Sequence, residues 1–255
     1  MSRKKILLVV EGAKQEVKLF NALFACYEPD LYYEIVSYGT NIYELYERMF
    51  SEGIQDELSL LGVLKERALA KDRDLFDQDY SDVLLVFDFD PQDDRFSSDR
   101  LSEMQAYFNE STENGKLYVN YPMVEACKHF LEIPDLEFLN RTVAFDDLRR
   151  YKSIVGNASR YQSFERDFKR PAVDSMIVLT AIKALMLSGC DGEGNYALSY
   201  GGLNHDAVLG SQIVALNARG EIWVLGMCLL FVLDYSTSLI DFEVIEAALR
   251  QYGWA

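Results

Sequence analysis

Histidine, proline and paired cysteine are scarce in this chain of 255 residues. It has 2 histidines, 5 prolines and 4 cysteines, and no two cysteines form a Cys-x-x-Cys pair. This spacing argues against a zinc ribbon or a disulfide framework and predicts free thiols in a reducing compartment. Because 49% of the residues are hydrophobic and 26% are charged, a disordered or collagen-like chain is excluded as well.

Long hydrophobic runs are also absent. The apolar run at residues 6–10 ends at Glu11, whereas the apolar core of a signal peptide needs about 7–15 residues. The run at residues 222–233 is shorter than the roughly 20 residues that span a bilayer, and it is typical of a buried helix. The sequence therefore predicts a soluble, cytoplasmic protein with no membrane partner.

The chain has fewer basic than acidic residues. The chain has 25 Lys and Arg against 41 Asp and Glu, which gives a formal net charge of -16. Proteins that grip nucleic acid with their whole surface are normally basic, so autonomous tight DNA binding is not expected. An acidic patch that binds cations, or a protein partner that supplies the grip on nucleic acid, stays open.

Apolar strands alternate with helical segments in the first half of the chain. Residues 5–10, 82–89 and 116–120 are typical of strands buried on both faces, and residues 32–38 of a shorter strand. Helical spacing of apolar residues marks residues 15–27, 42–50, 98–108 and 124–130. Ser98 is a candidate cap for the third of these helices. This alternation predicts an α/β fold with a mostly parallel sheet and flanking helices.

The alternation stops near residue 135. Residues 174–188, 222–235 and 242–252 have helical patterns, and the Gly-, Asp- and Asn-rich residues 188–202 are expected to form a loop. The sequence thus predicts an α/β domain over residues 1–135 and a mainly helical domain over residues 136–255. The very apolar run 222–233 is compatible with a homodimer interface and equally with an interior helix.

Acidic residues follow two of the predicted strands. Glu11 follows the first strand, and Asp88 and Asp90 follow the strand at residues 82–89. The carboxyl ends of neighbouring parallel strands meet at one rim, so these three carboxylates should converge there. Either motif alone is common as a cap or loop, but the joint pattern is more specific. Clustered carboxylates repel each other, and hard divalent ions such as Mg²⁺ prefer oxygen ligands.

The two motifs, Glu11-Gly12 and Asp88-Phe89-Asp90, resemble the signature of the Toprim fold, the catalytic domain of primases, topoisomerases and several metal-dependent nucleases. Within that superfamily, residues 10–23 look most like the RloB-like and overcoming-lysogenization-defect nucleases, whose further helical acid is matched by Glu16. Residues 120–130, with Glu125, resemble a third block of the RloB-like proteins. The resemblance covers about residues 5–130, and the C-terminal half matches no family pattern.

The resemblance implies a role for each acid. Asp88 and Asp90 would hold Mg²⁺ or Mn²⁺, Glu11 would complete the ligand shell or act as general base, and Glu16 would reach a second ion. Glu125 would belong to the metal shell or position the substrate, although an acid is also favoured at a helix N-terminus on electrostatic grounds alone.

Other polar residues carry weaker signals. Arg149, Arg150 and Lys152 are candidate phosphate contacts, with a solvated helix face as the alternative. Asp93 and Asp94 extend the acidic run beyond Pro91 and are expected to be solvated loop acids. A structural role is expected for His129. His205 is expected in a loop, without an assigned role.

The resemblance predicts a Mg²⁺-dependent nuclease that cleaves DNA or RNA, tRNA included, as the effector of bacterial defence against phage. It also implies an ATPase partner that holds the nuclease in check. The alternative is a non-catalytic Toprim-like subunit that binds and regulates such a partner. A receiver-like or phosphatase-like domain fits poorly, because phosphatases of that type need an Asp nucleophile where this chain has Glu11.

Overall fold

The central sheet is built from the apolar runs of the N-terminal half. In the computed structural model, which describes residues 4–27, 31–50, 53, 55–189 and 203–235, four strands run parallel in the order β2-β1-β3-β5. They are β1 (Lys4–Val10), β2 (Leu31–Ser37), β3 (Asp82–Asp88) and β5 (Gly115–Tyr121). Residues 6–10 of β1 have no exposed surface, as expected for a strand covered on both faces. The expected α/β fold with a mostly parallel sheet is confirmed.

Two short antiparallel strands complete the β5 edge. The two-residue strand β4 (Asn109–Glu110) pairs with the start of β5 at Lys116 and Gly115. At the other end of β5, Asn120 and Tyr121 pair with a strand from the C-terminal region, which the chain reaches only after about a hundred further residues. The ladder therefore crosses residue 135, and the expected division into two domains there stays a prediction.

Four helices of the N-terminal half flank the sheet in the described residues, and three of them lie where apolar spacing predicts helices; the exception is the helix at residues 60–67. They are α1 (Gln15–Tyr27), α2 (Ile42–Phe50), α3 (Leu60–Arg67) and α4 (Ser98–Tyr107), with 3₁₀ turns at Gln55–Glu57 and Arg73–Asp77. The bounds of α1 and α2 agree with the expected ones. The cap of α4 is Ser97, whose side chain accepts a hydrogen bond from the Arg100 N–H, and not Ser98.

The C-terminal half is mainly helical, as expected, and adds a two-stranded ribbon. Its helices are α5 (Tyr151–Ala158), α6 (Phe164–Asp167), α7 (Arg170–Leu187), α8 (His205–Arg219) and α9 (Phe231–Tyr235). The ribbon pairs β6 (Thr142–Ala144) with β7 (Glu221–Trp223), and it joins the segment after residue 140 to the segment after α8.

Two segments expected to be helical differ. Residues 222–233 form the end of β7, the strand β8 (Leu225–Gly226), a 3₁₀ turn (Met227–Leu230) and the start of α9, because Ile222 and Val224 are β-branched and favour extended backbone. All of this run except the partly exposed Trp223 is buried inside the chain, and the homodimer stays a prediction. Residues 124–130 form only the 3₁₀ helix Val124–Lys128.

Two further expectations fall outside the described part of the chain. These are the helix at residues 242–252 and most of the loop at residues 188–202. In the residues that are described, no helix has both the length and the apolar character needed to span a membrane.

Candidate active site

The crevice between β1 and β3 lies where the strand order reverses direction. The chain leaves β1 toward β2 on one side and leaves β3 toward β5 on the other, and ligands of open α/β sheets bind outside the carboxyl ends of such strands. Glu11 follows β1, and its N–H extends the ladder to the Val86 carbonyl (3.1 Å). Asp88 ends β3, and its N–H donates to Oε2 of Glu11 (3.1 Å). The two acids are thus held together across the crevice.

Glu16 reaches the same rim from the first turn of α1. Its side chain is 5% exposed, and Oε1 accepts a hydrogen bond from the Gly12 N–H (3.1 Å). A Cβ at position 12 would lie 2.8 Å from Oε2 of Glu16, closer than real Cβ atoms approach other atoms. Glycine after Glu11 is therefore explained by the close approach of the Glu16 carboxylate to the backbone.

A fourth carboxylate arrives from the turn after β5. The Val124 N–H donates to Oδ1 of Asp88 (2.8 Å), which docks the turn onto the acid at the end of β3. Glu125 follows and is 4% exposed. Its Oε2 is buried, and no hydrogen-bond partner for this oxygen occurs in the described part of the chain. A buried carboxylate oxygen without a donor is costly, and a cation would satisfy it.

The pKa values of the clustered acids are raised. Burial raises the pKa of Glu11 to about 7, and the negative charges of Glu16 and Asp90 add to this effect, while the hydrogen bond from Asp88 opposes it. The pKa of Asp88 lies well above its usual value, because of burial and then the charges of Glu11, Glu16 and Glu125. The site therefore favours either a bound proton or a bound cation.

Asp90 has the conformation of a strained turn. Its φ of 33° makes it the one non-glycine residue with positive φ among those that the structure describes. The surrounding structure fixes the turn, because the Phe89 N–H donates to the Asn120 carbonyl (3.0 Å) and the Tyr43 hydroxyl donates to the Phe89 carbonyl. Burial and the nearby Asp93 raise the pKa of Asp90. Backbone strain held in place by neighbours is common at functional sites.

Asp93 has a different role from Asp88 and Asp90. The guanidinium of Arg95 donates to both of its carboxylate oxygens (3.0 and 3.1 Å) and also to Glu44 on α2 (3.2 Å). These hydrogen bonds lower the pKa of Asp93 to about 2. Asp93 therefore anchors the loop after β3 to α2 and is paired with Arg95 rather than merely solvated. Asp94 is exposed.

The basic candidates separate into two groups. Lys152 on α5 places its Nζ 3.8 Å from Oε1 of Glu125, and its charge lowers the pKa of both Glu11 and Asp90. Its side chain is 69% exposed, so it can also meet a ligand. Arg150 instead pairs with Asp147 (2.7 Å), and Arg149 is exposed. The structure brings Lys152 to the acids; Arg149 and Arg150 lie on the adjoining 3₁₀ helix Phe145–Arg150.

Neither histidine takes part in the hydrogen bonds described above for the clustered acids. His129 is buried, and its Nδ1 is 2.9 Å from the hydroxyl of Tyr151. His205 begins α8 rather than lying in a loop, because Asn204 caps the helix through a bond to the Ala207 N–H (3.1 Å). Burial lowers the pKa of both histidines to about 4.

Sequence reasoning missed Asn120, a buried polar residue next to the last residue of β5. It is fully buried beside Asp88 in the β3–β5 register, and its Oδ1 accepts from the Cys228 N–H (3.2 Å). Its Nδ2 is a buried donor for which the described residues offer no acceptor. The available signal was an amide directly after the buried residues 117–119 of the strand.

The donor set fits a divalent metal ion. The acids are oxygen donors, three of them (Glu11, Asp88 and Asp90) have raised pKa values, and Glu125 has an unpartnered buried oxygen. No three or more His, Cys, Asp or Glu side chains in the described ranges are already grouped as a metal site. The fit therefore rests on donor chemistry and on the crevice position.

Comparisons of the chain with protein-family models, with curated proteins and with solved structures give no match. The likeness to Toprim nucleases thus stays a prediction from the residues of the two strand ends, and the fold itself is α/β with a Rossmann-like parallel sheet followed by a helical region.

Proposed function

We propose that this protein is a Mg²⁺- or Mn²⁺-dependent nuclease that hydrolyses phosphodiester bonds of DNA or RNA. One observation carries the proposal: Glu11 and Asp88 are hydrogen-bonded across the crevice at which the strand order reverses, among further carboxylates that raise their pKa values. A divalent ion bound there would stabilise charge that develops on the phosphate and would lower the pKa of bound water.

The proposed role of each acid follows from the contacts that fix its position. Asp88 and Asp90 would hold the ion, since Asp88 is fixed by the Val124 N–H and Asp90 by the strained turn. Glu11 shares Oε2 with the Asp88 N–H, which leaves Oε1 to bind metal or to accept a proton from attacking water. Glu16 and Glu125 complete the acidic wall of the site.

Lys152 would contact the phosphate beside these acids. Its exposed ammonium is 3.8 Å from Glu125, so it can neutralise a phosphate oxygen at the rim without leaving the site. Arg149 and Arg150 would extend this positive edge along the substrate backbone. Because the net charge of the chain is -16, these few residues or a partner protein would supply most of the contacts to nucleic acid.

The proposed cellular role follows from the resemblance to RloB-like and overcoming-lysogenization-defect nucleases. The nuclease would be the effector of a bacterial defence against phage, and an ATPase partner would control it. The acidic chain supports a controlled component, because it has little basic surface of its own with which to bind nucleic acid.

The direct test is a cleavage assay with Mg²⁺ or Mn²⁺ on plasmid DNA, single-stranded DNA and total tRNA. Glu11→Gln and the double variant Asp88→Asn/Asp90→Asn should lose cleavage, because they keep side-chain shape and remove ligand charge. Asp94→Asn is the matched control, since it removes an exposed acid from the same loop and should retain cleavage.

Each outcome of the cleavage assay leads to a different conclusion. Cleavage that disappears in both site variants and persists in the control places the chemistry at the two strand ends. Equal cleavage by all proteins would contradict the mechanism. A folded wild type that binds Mg²⁺ at these acids yet cuts nothing, alone or with its ATPase, would favour the non-catalytic subunit instead.

A further inference from the structure

A cavity of about 650 Å³ lies beside the Asp90 turn and is used by nothing described above. Pro91, the residue directly after Asp90, is one of the residues that line it, and the cavity is broadly open to solvent. The residues that line it and matter here are Pro91, Phe96, Phe145, Asp146, Asn217 and Arg219. Its volume is within the range of small-molecule sites and exceeds the size of one nucleobase.

The walls of the cavity are fixed to the loop that carries Asp90. The side chain of Gln92 donates to the Phe145 carbonyl (3.2 Å), and the Phe145 N–H donates to the Gly220 carbonyl (2.8 Å). Phe96 packs edge-to-face against Phe89, the residue between the two proposed metal-binding aspartates (ring centroids 5.5 Å apart). The cavity and the acidic rim are therefore parts of one framework.

Two half-buried phenylalanines give the cavity apolar surfaces. Phe96 and Phe145 are both partly exposed at positions that line it. Planar bases stack on aromatic rings regardless of sequence, and such stacking is the usual way in which proteins hold unpaired bases. An open side allows the rest of a polynucleotide chain to leave the cavity toward the acids.

The polar groups of the cavity are suited to a base and not to a phosphate. Arg219 is its one lining cation among the described residues, and it is paired with Glu221 (3.3 Å). The cavity also contains Asp146 and the C-terminal end of α8, where helix carbonyls carry partial negative charge. Asp146 and the helix carbonyls repel phosphate, whereas they accept hydrogen bonds from the exocyclic amino groups of adenine, guanine and cytosine.

We propose that this cavity binds one unpaired base of the nucleic acid whose backbone lies at the acidic rim, with a preference for bases that carry an amino group. The inference rests on the proposed nuclease function and names its substrate class: a single-stranded segment, or a nucleotide turned out of a duplex. Phe145 supplies the stacking surface, and Asp146 and Asn217 contact the base edge.

The test measures binding of AMP, GMP, CMP, UMP and ribose 5-phosphate to the full chain by ligand-observed NMR. EDTA is present, so the acids cannot bind phosphate through a metal ion. AMP, GMP and CMP should bind more tightly than UMP, and ribose 5-phosphate should not bind. Phe145→Leu keeps apolar packing and removes the ring face, so AMP affinity should fall at least about fivefold.

Two further variants sharpen the result. Asp146→Asn alters an exposed side chain, and it should narrow the difference between CMP and UMP. Tyr32→Leu is the matched control: it removes a 53% exposed aromatic ring near the opposite end of the sheet, where Tyr32 pairs with Lys5, and it should leave AMP binding unchanged. Circular dichroism of each variant establishes that it is folded.

Several results would overturn the inference: no binding of any nucleotide by the wild type, ribose 5-phosphate binding as tightly as AMP, or an unchanged AMP affinity in folded Phe145→Leu. These results are independent of the cleavage assay. Base binding without cleavage would support the base-binding site and contradict the proposed nuclease function. Cleavage that depends on Glu11, without base binding, would support the nuclease function and contradict the base-binding site.

Discussion

Replacing Glu11 by Gln should stabilise the metal-free protein, although it removes a proposed catalytic group. The folded structure raises the pKa of Glu11 from 4.5 to about 7, so folding works against the ionised carboxylate. At pH 8 this difference corresponds to roughly 3 kcal/mol, since each pKa unit is worth about 1.4 kcal/mol. Gln accepts a weaker hydrogen bond from Asp88 than a carboxylate does, which reduces the expected gain to about 2 kcal/mol.

The pH dependence gives the sign of the effect. Below pH 4.5 Glu11 is protonated in both folded and unfolded chains, and wild type and variant should be equally stable. As pH rises from 4.5 to about 7 the unfolded chain releases its proton first, so the penalty on the wild type grows and then stays constant. Urea denaturation at several pH values in EDTA measures this gap.

Thermal unfolding provides a second measurement of the stability difference between the wild type and Glu11→Gln. For a chain of this size, about 2 kcal/mol corresponds to a rise in Tm of roughly 4–8 °C. Adding Mg²⁺ should raise the Tm of the wild type more than that of the variant, because ligand binding stabilises only the state that binds it. Glu137→Gln, at an exposed site, controls for the loss of one negative charge. A Gln variant that is less stable at every pH, or a gap that does not change with pH, would refute this reasoning.

Three further predictions concern the backbone and the histidines. Asp90→Gly should raise stability by roughly 1 kcal/mol in thermal unfolding, because glycine adopts a φ of 33° without strain, while cleavage is lost; a loss of stability would argue against strain. Gly12→Ala should displace the Glu16 carboxylate and reduce the cleavage rate about 10- to 100-fold, yet leave Tm within a few degrees, and unchanged kinetics would contradict this. Wild type should lose stability in urea relative to His129→Gln as pH drops from about 6.5 to 4, because the folded chain lowers the pKa of His129, like that of His205, to about 4 and the unfolded chain binds the His129 proton first; a gap between the two proteins that does not change with pH would contradict this.

The acidic rim was predictable because it depends on local pattern and one topological rule. Glu11 and Asp88 lie at the ends of short apolar runs rich in β-branched residues, a pattern typical of buried strands, and parallel neighbours place their carboxyl ends together. The helices α1 and α2 were predictable for a similar reason, since their apolar residues recur at helical spacing.

The remaining parts of the site depend on contacts between distant segments. The cavity beside Asp90 joins residues near 145 to residues near 219, and no local pattern signals that meeting. The prediction of a helix at residues 222–233 was also wrong, because a short apolar run fits a buried helix and a buried strand equally well. The partner of Asn120, the Cys228 N–H, lies 108 residues away in sequence.

That last contact has a consequence for the growing polypeptide. All the proposed ligands occur within the first 125 residues, yet the end of β5 that neighbours Asp88 gains its edge partner only from residues 225 and 226. A chain still on the ribosome presents the acids on an incomplete sheet edge, with the side-chain Oδ1 of Asn120 lacking its Cys228 N–H donor. Synthesis therefore has to pass Cys228 before the rim is complete, and until then the acids of a partly synthesised chain lie beside an unfinished sheet edge.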